Sequence, residues 1–240
     1  MREDRRPYIA KRAYLALERA YTRRFVAPQF DQFDPDFSIV MRPWYLTVHG
    51  HNISAGKSLH VITAKDRRVG LTTWGEGGHG GRIKLGDYVL LCPGVRVDSA
   101  SRVVVGNNTM LAAGAYLTDA DWHDIYDRTR SIGNTAPIVL EDNVWIGDGA
   151  TVCKGVTIGE NTVIGTRSVV THDMPANVIA AGNPARVIRK LGDQPIRTRE
   201  TLLADAPRLV RETDNLNRYL LGSNTTTGWL RTLIKPSRGD

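Results

Sequence analysis

One stretch of the chain, TDADWHDIYDRTRSIGNTAP at 118–137, concentrates side chains that can move protons. His123 stands there among Asp119, Asp121, Asp124 and Asp127, with Trp122, Tyr126 and Arg128 around it. Imidazole titrates near neutrality, so it can take a proton from an incoming hydroxyl and later deliver one. A carboxylate on its second nitrogen would fix the tautomer. Asp121 and Asp124 are both candidates for that role, and the sequence does not choose between them. A lone loop histidine is more often surface decoration, so the weight of this reading rests on what carries the loop. The remaining histidines read more weakly. His49 and His51 sit in an irregular stretch, His60 reads as structural, and His79 lies in the flexible-looking GEGGHGG. That segment lacks the Lys-Ser/Thr ending of a phosphate-binding loop.

The element that must carry the loop has a six-residue period. Aliphatic residues fall at Leu140, Ile146, Val152, Ile158, Ile164 and Val170, each six after the last. A second set is Val105, Leu111, Leu117, and a third is Leu85, Leu91, Val97, with two residues inserted between Val97 and Val105. Upstream, Ile53 and Leu59 are the last clear step. Aliphatic residues recur two places earlier, at Ile83, Val89, Val95, Val103, Val144 and Val156, which is strand alternation. Glycine or asparagine near each step supplies turns, because both tolerate positive φ. Three such strand-and-turn sides close one triangular coil. A single coil cannot bury its own face, so several must stack. Between Leu117 and Leu140 the step is 23 residues, five more than a full coil, and the interruption is too polar for a coil wall. It is expected to project as a loop, where function tends to sit.

The flanks read as helical. Tyr14, Leu17, Tyr21 and Phe25 form one apolar stripe, and Leu202, Ala206, Leu209, Thr213, Leu216 and Leu220 form another. Both are expected to pack on the coils or on a partner subunit; from Gly222 the chain is expected to wrap or fray. The parts are therefore a flank at 1–45, a β-helix at 46–190 and a C-terminal helix and tail at 191–240. The net charge of +7 lives in the flanks: residues 1–24 hold eight Arg/Lys against three acids, and 186–240 hold eleven against six. No nucleic-acid motif accompanies it. Cys92 and Cys153 form no CxxC pair, which argues against disulfide frameworks and zinc ribbons. No apolar run is long enough for a spanning helix or a signal segment, so a cytoplasmic location is expected.

The repeats, the extruded loop and the closing segment NVIAAGNPARVIRKL together make this chain similar to the hexapeptide-repeat acyltransferases. The similarity covers roughly 46–190 and is closest to the sugar and xenobiotic O-acetyltransferases. It implies a mostly β fold, a left-handed parallel β-helix of hexapeptide repeats with helical flanks. It also implies a homotrimer with sites between neighbouring subunits, an acyl-CoA donor (acetyl-CoA first) and a sugar or glycolipid-type hydroxyl acceptor. By position the resemblance makes His123 the general base. The chain departs from the sugar enzymes in having His123-Asp124 for His-Pro, and Gly114 where asparagine is common. A thioester is already activated, so no serine or cysteine nucleophile is needed; a backbone N–H would stabilise the oxyanion.

Within WIG…VIGTRSVVTHD…GNPARVIR, the residues that resemble coenzyme contacts are Trp145, Asp148, Thr166, Thr171, His172, Arg186 and Arg189. His172 replaces the usual lysine. Arginine suits the coenzyme's phosphates because it engages two oxygens at once. No metal is expected. Two rival readings share the fold: a γ-carbonic-anhydrase-like zinc enzyme and a non-catalytic scaffold. The first needs a histidine five residues after His123, where Arg128 stands.

Overall fold

The computed structural model describes residues 4–75 and 80–237. The loop histidine His79 lies outside them. Three parallel sheets form the walls of a β-helix. The six-residue series explains how. Leu140 belongs to the five-stranded sheet, Ile146 to the eight-stranded one and Val152 to the six-stranded one; Ile158, Ile164 and Val170 repeat that order. Each step of six therefore turns one corner, and each third step stacks on its predecessor. Leu140 pairs with Ile158, Ile146 with Ile164, and Val152 with Val170, all in parallel register. All six are at most 1% exposed, so the columns are the core.

The helix starts earlier than the periodicity shows. Ile39–Met41 already pairs in parallel with His60–Ile62. Ile53 and Leu59 prove to be members of the companion column, because Ile53 pairs with Ile83. The main column there runs through Ala55 and Val61, and Ala55 is too small to register as a repeat.

Corners need left-handed backbone. Asn108, Asn143, Asn161 and Asn177 have φ between 58° and 61°. Three of them stack as a ladder, the Asn143 amide donating to Asn161 (2.8 Å) and Asn161 to Asn177 (2.9 Å). At another corner Gly114 has φ 69°, a turn that glycine adopts without strain.

The two-residue insertion between Val97 and Val105 is satisfied by Asp119, which is fully buried. Its carboxylate accepts from Ser99 Oγ (2.6 Å), Ala100 N–H (2.7 Å) and Ser101 N–H (3.0 Å). The extra residues thus cost no orphaned backbone donors.

Helix α1 (Tyr8–Tyr21) continues through a π turn at Thr22–Val26. After the coils come α2 (Arg199–Leu203), α3 (Ala206–Leu221) and α4 (Thr226–Ile234). The end of the chain, expected to wrap or fray, returns to the N-terminal residues, Asn224 Nδ2–H donating to Asp4 O (2.7 Å) and Arg6 O (3.0 Å), and forms α4. Thr225 caps it, its Oγ1 accepting from Gly228 N–H at 3.1 Å. The Gly-x-Pro segment is the turn of a β-hairpin, Val178–Gly182 against Ala185–Lys190.

Candidate functional site

The loop at 118–137 leaves the six-stranded sheet after Tyr116–Thr118 and rejoins the five-stranded sheet at Ile138. Its stem is a short antiparallel ladder. Ala120 bridges Thr135, Asp121 N–H donates to Asn134 O (2.9 Å) and Gly133 N–H to Asp121 O (2.8 Å). Gly133 is required there, because a Cβ would come within 2.7 Å of the His123 carbonyl oxygen. Asp121 also forms an ion pair with Lys154 Nζ at 2.6 Å, tying the stem to the next coil. Asp124 holds the tip: its Oδ1 accepts from the backbone N–H groups of Tyr126 and Asp127, both at 2.9 Å. Those two N–H donors, Asp127 first, hold its carboxyl below the ordinary carboxylate range.

His123 sits between these braces, and its side chain is exposed. Its ring makes no hydrogen bond to either aspartate among the described residues. Trp122, the preceding residue, is pinned: its Nε1–H reaches Thr118 Oγ1 (3.0 Å) and Tyr116 OH (3.2 Å), and its ring packs 5.8 Å from that of Trp74. The reading of the sequence missed the buried anchor Asp119, the brace Lys154 and the Trp74–Trp122 pair. The first was visible only as one of several aspartates. The other two lie 33 and 48 positions away from their partners and left no local trace.

The remaining candidates fall in three places. Thr171 and His172 follow the strand Val169–Val170, with Thr171 Oγ1 2.8 Å from His172 Nδ1. That strand stands two rungs from Tyr116–Thr118 in the same sheet, so the pair occupies the corner edge that launches the loop. Two rungs span roughly 10 Å. His172 and Arg186 share an open cavity of ≈ 270 Å³ with Asp173, Met174, Ala185 and Val187. Among the described residues Arg186 bonds only the neighbouring Ala185 carbonyl and Arg189 that of Lys190, and both side chains are exposed. Trp145 and Arg189 lie in one row across the eight-stranded sheet, through Val163 and Ile179. Asp148 and Thr166 are exposed at the corner between the eight- and six-stranded sheets. One whole face of the β-helix separates that corner from the His123 loop.

His60 is inside the structure, 3.2 Å from the Arg199 guanidinium. Burial first, and then that cation, pull its pKa down to about 4. Among the described residues no group of three His, Cys, Asp or Glu side chains is placed to hold a metal ion. None of the described helices is long and apolar enough to cross a membrane.

Known proteins share this architecture. Residues 137–172 match the bacterial transferase hexapeptide family (six repeats). Galactoside O-acetyltransferase of Escherichia coli (strain K12) is 34% identical over 152 residues, covering 61% of this chain and 74% of that protein. Galactoside O-acetyltransferase of Lactococcus lactis is 39% identical over 98 residues, 40% of this chain and 47% of that protein. Among solved structures, AntD, an N-acyltransferase from Bacillus cereus in complex with dTDP-4-amino-4,6-dideoxyglucose and coenzyme A, superposes with a TM-score of 0.54. It is 14% identical, with 80% of this chain and 96% of that chain covered, and so speaks for the fold alone. With the left-handed β-helix in place and three quarters of a galactoside O-acetyltransferase spanned at this identity, the chain belongs to the hexapeptide-repeat acetyltransferases.

Proposed function

We propose that this acetyltransferase moves an acetyl group from acetyl-CoA to a hydroxyl of a saccharide acceptor, with His123 as the general base. The observation that carries the reading is the loop. Its stem and tip are both braced, yet it presents one exposed imidazole whose nitrogens are not spent on neighbours. In the reaction His123 takes the proton of the acceptor hydroxyl as its oxygen attacks the thioester carbonyl. The tetrahedral intermediate collapses, the C–S bond breaks, and the proton passes to the departing thiolate. Asp121 and Asp124 act through the loop, by setting where the imidazole stands. The galactoside acceptors of the two relatives support the saccharide class.

The coenzyme side is read from the residues at the closing end. Arg186 and Arg189 offer guanidinium donors to phosphate, and Arg186 borders the open cavity that also holds His172. Trp145, Asp148, Thr166 and Thr171 would line the pantetheine arm. Because the Asp148–Thr166 corner and the His123 loop lie at different edges of one subunit, a complete site calls for two subunits. A homotrimer, in which one subunit's corner meets its neighbour's loop, supplies that. Replacing His123 by alanine and measuring acetyl transfer beside coenzyme A affinity tests the reading: transfer should collapse while affinity stays. Transfer at the wild-type rate in the variant would overturn it.

A further inference from the structure

The pair Trp74–Trp122 is not needed to hold the fold's core, and its setting beside His123 calls for a use. Trp74 directly follows the strand Val69–Thr73 of the six-stranded sheet, and its backbone N–H donates to Ser99 O at 2.8 Å. Thr73 is buried, so alternation turns Trp74 outward, where it remains 49% exposed. The strand ends at the corner from which the His123 loop also departs. Trp122 meets Trp74 at 58°, a tilted rather than a stacked contact. Its own orientation is locked by the bonds from Nε1 to Thr118 and Tyr116. Beside them stands Arg96, its guanidinium 4.5 Å from the centre of the Tyr116 ring and paired with Asp98 at 2.5 Å. An exposed indole set against one of fixed orientation, with a hydroxyl, a guanidinium and a carboxylate on the neighbouring strands, makes an amphipathic surface.

We infer that Trp74 is the platform that selects the acceptor, taking the C–H face of a pyranose ring against its indole. This rests on the saccharide reading above and adds the residue that enforces it. A pyranose is amphipathic in the matching sense. Its ring C–H groups carry slight positive charge, which the negative face of an aromatic ring attracts, while its hydroxyls point sideways to polar partners. A coenzyme adenine could stack on an indole too, but Asp148 and Thr166 lie at a different corner, and Thr171 and His172, at this one, follow a strand four rungs from that of Trp74, roughly 19 Å away. An open-chain polyol offers no rigid apolar face, so it should be rejected.

The probes are methyl β-galactopyranoside, maltose, open-chain galactitol and coenzyme A, each titrated by calorimetry or saturation-transfer NMR into the full chain. Both pyranosides should bind wild type and galactitol should not. Trp74→Ala should weaken the pyranosides about tenfold, equivalent to about 1.4 kcal/mol. Coenzyme A affinity should hold, and Trp74→Tyr should recover most of the loss. In acetyl transfer to whichever pyranoside binds, KM should rise much more than kcat falls. Three results overturn the inference: no pyranoside binding to wild type, equal binding to the alanine variant, or an altered oligomer mass that accounts for the loss. Wild type that binds coenzyme A but no pyranoside fails the platform alone. Wild type that binds no coenzyme A fails the acetyl-transfer reading itself.

Discussion

At the scale of single residues, His123 and the arginine pair carry opposite expectations. His123→Ala removes the only group proposed to move the acceptor's proton, so turnover should fall roughly a hundred- to ten-thousand-fold. Steady-state kinetics with the true acceptor checks this, and His172→Ala, which removes a cavity wall, should be much milder. For Arg186 and Arg189 the expected effect is on affinity. A charge-assisted bond to phosphate is worth about 1.5–3 kcal/mol, with exposure favouring the low end. Wild type should therefore prefer coenzyme A over its dephospho form by roughly tenfold at low salt. The double change to alanine should erase that preference, and calorimetry on both ligands measures it. Equal losses for the two ligands would assign the arginines to the hairpin or the pyrophosphate. These roles were only partly legible in sequence. The types and the motif nominated these side chains, but nothing local showed that Arg186 would border the same cavity as His172.

At the scale of elements, the loop is the part whose geometry matters most, and its anchor is Asp119. The buried carboxylate satisfies two backbone N–H groups and a hydroxyl of the coil before it. Asp119→Ala would leave those donors unpaired, at about 1–3 kcal/mol for each buried group. The melting temperature should drop by several degrees and the transfer rate with it. Lys154→Met gives a finer test, because its ion pair with Asp121 is about one-third exposed and contributes little to stability. Stability should hardly change while kcat falls, if the stem sets the position of the imidazole. An unchanged kcat would mean that the hydrogen-bonded stem suffices without it.

For the whole molecule, the junction between the C-terminal segment and the coils is pH-sensitive. Arg199 reaches His60 Nδ1 (3.2 Å) and the Tyr88 carbonyl (2.9 Å), and Glu200 N–H reaches Asn108 (2.8 Å). His60 stays neutral in the fold down to about pH 4, whereas in the unfolded chain it takes a proton near its ordinary value of 6.5. Below that ordinary value the unfolded state holds the extra proton. Stability is thus fully present above about pH 6.5 and declines as pH falls toward 4. Denaturant midpoints across that range should show the slope, and His60→Phe should flatten it. The apolar residues left exposed on the helices, among them Leu216, Tyr219 and Ile234, fit a subunit interface. Light scattering should give a trimer mass, and a monomer at micromolar concentration would sink the shared site.

The sequence by itself determined the coil. A period of six with alternation inside it has one physical solution, since each aliphatic position must stack on the one three steps later to be buried. The polar interruption had to leave the wall for the same reason, and the asparagines and glycines marked the corners through their tolerance of positive φ. Only the tertiary structure decided what spans coils. It paired Asp121 with Lys154, sank Asp119 beneath the inserted turn of an earlier coil, and set Trp74 against Trp122. It also drew α2 onto His60 and folded the Gly-x-Pro segment into the turn of a hairpin. The division follows from range. Periodicity reports whether a residue faces in or out of its own strand. Neighbours one coil apart are about eighteen or more positions distant, and their pairing is fixed by the register of the stack.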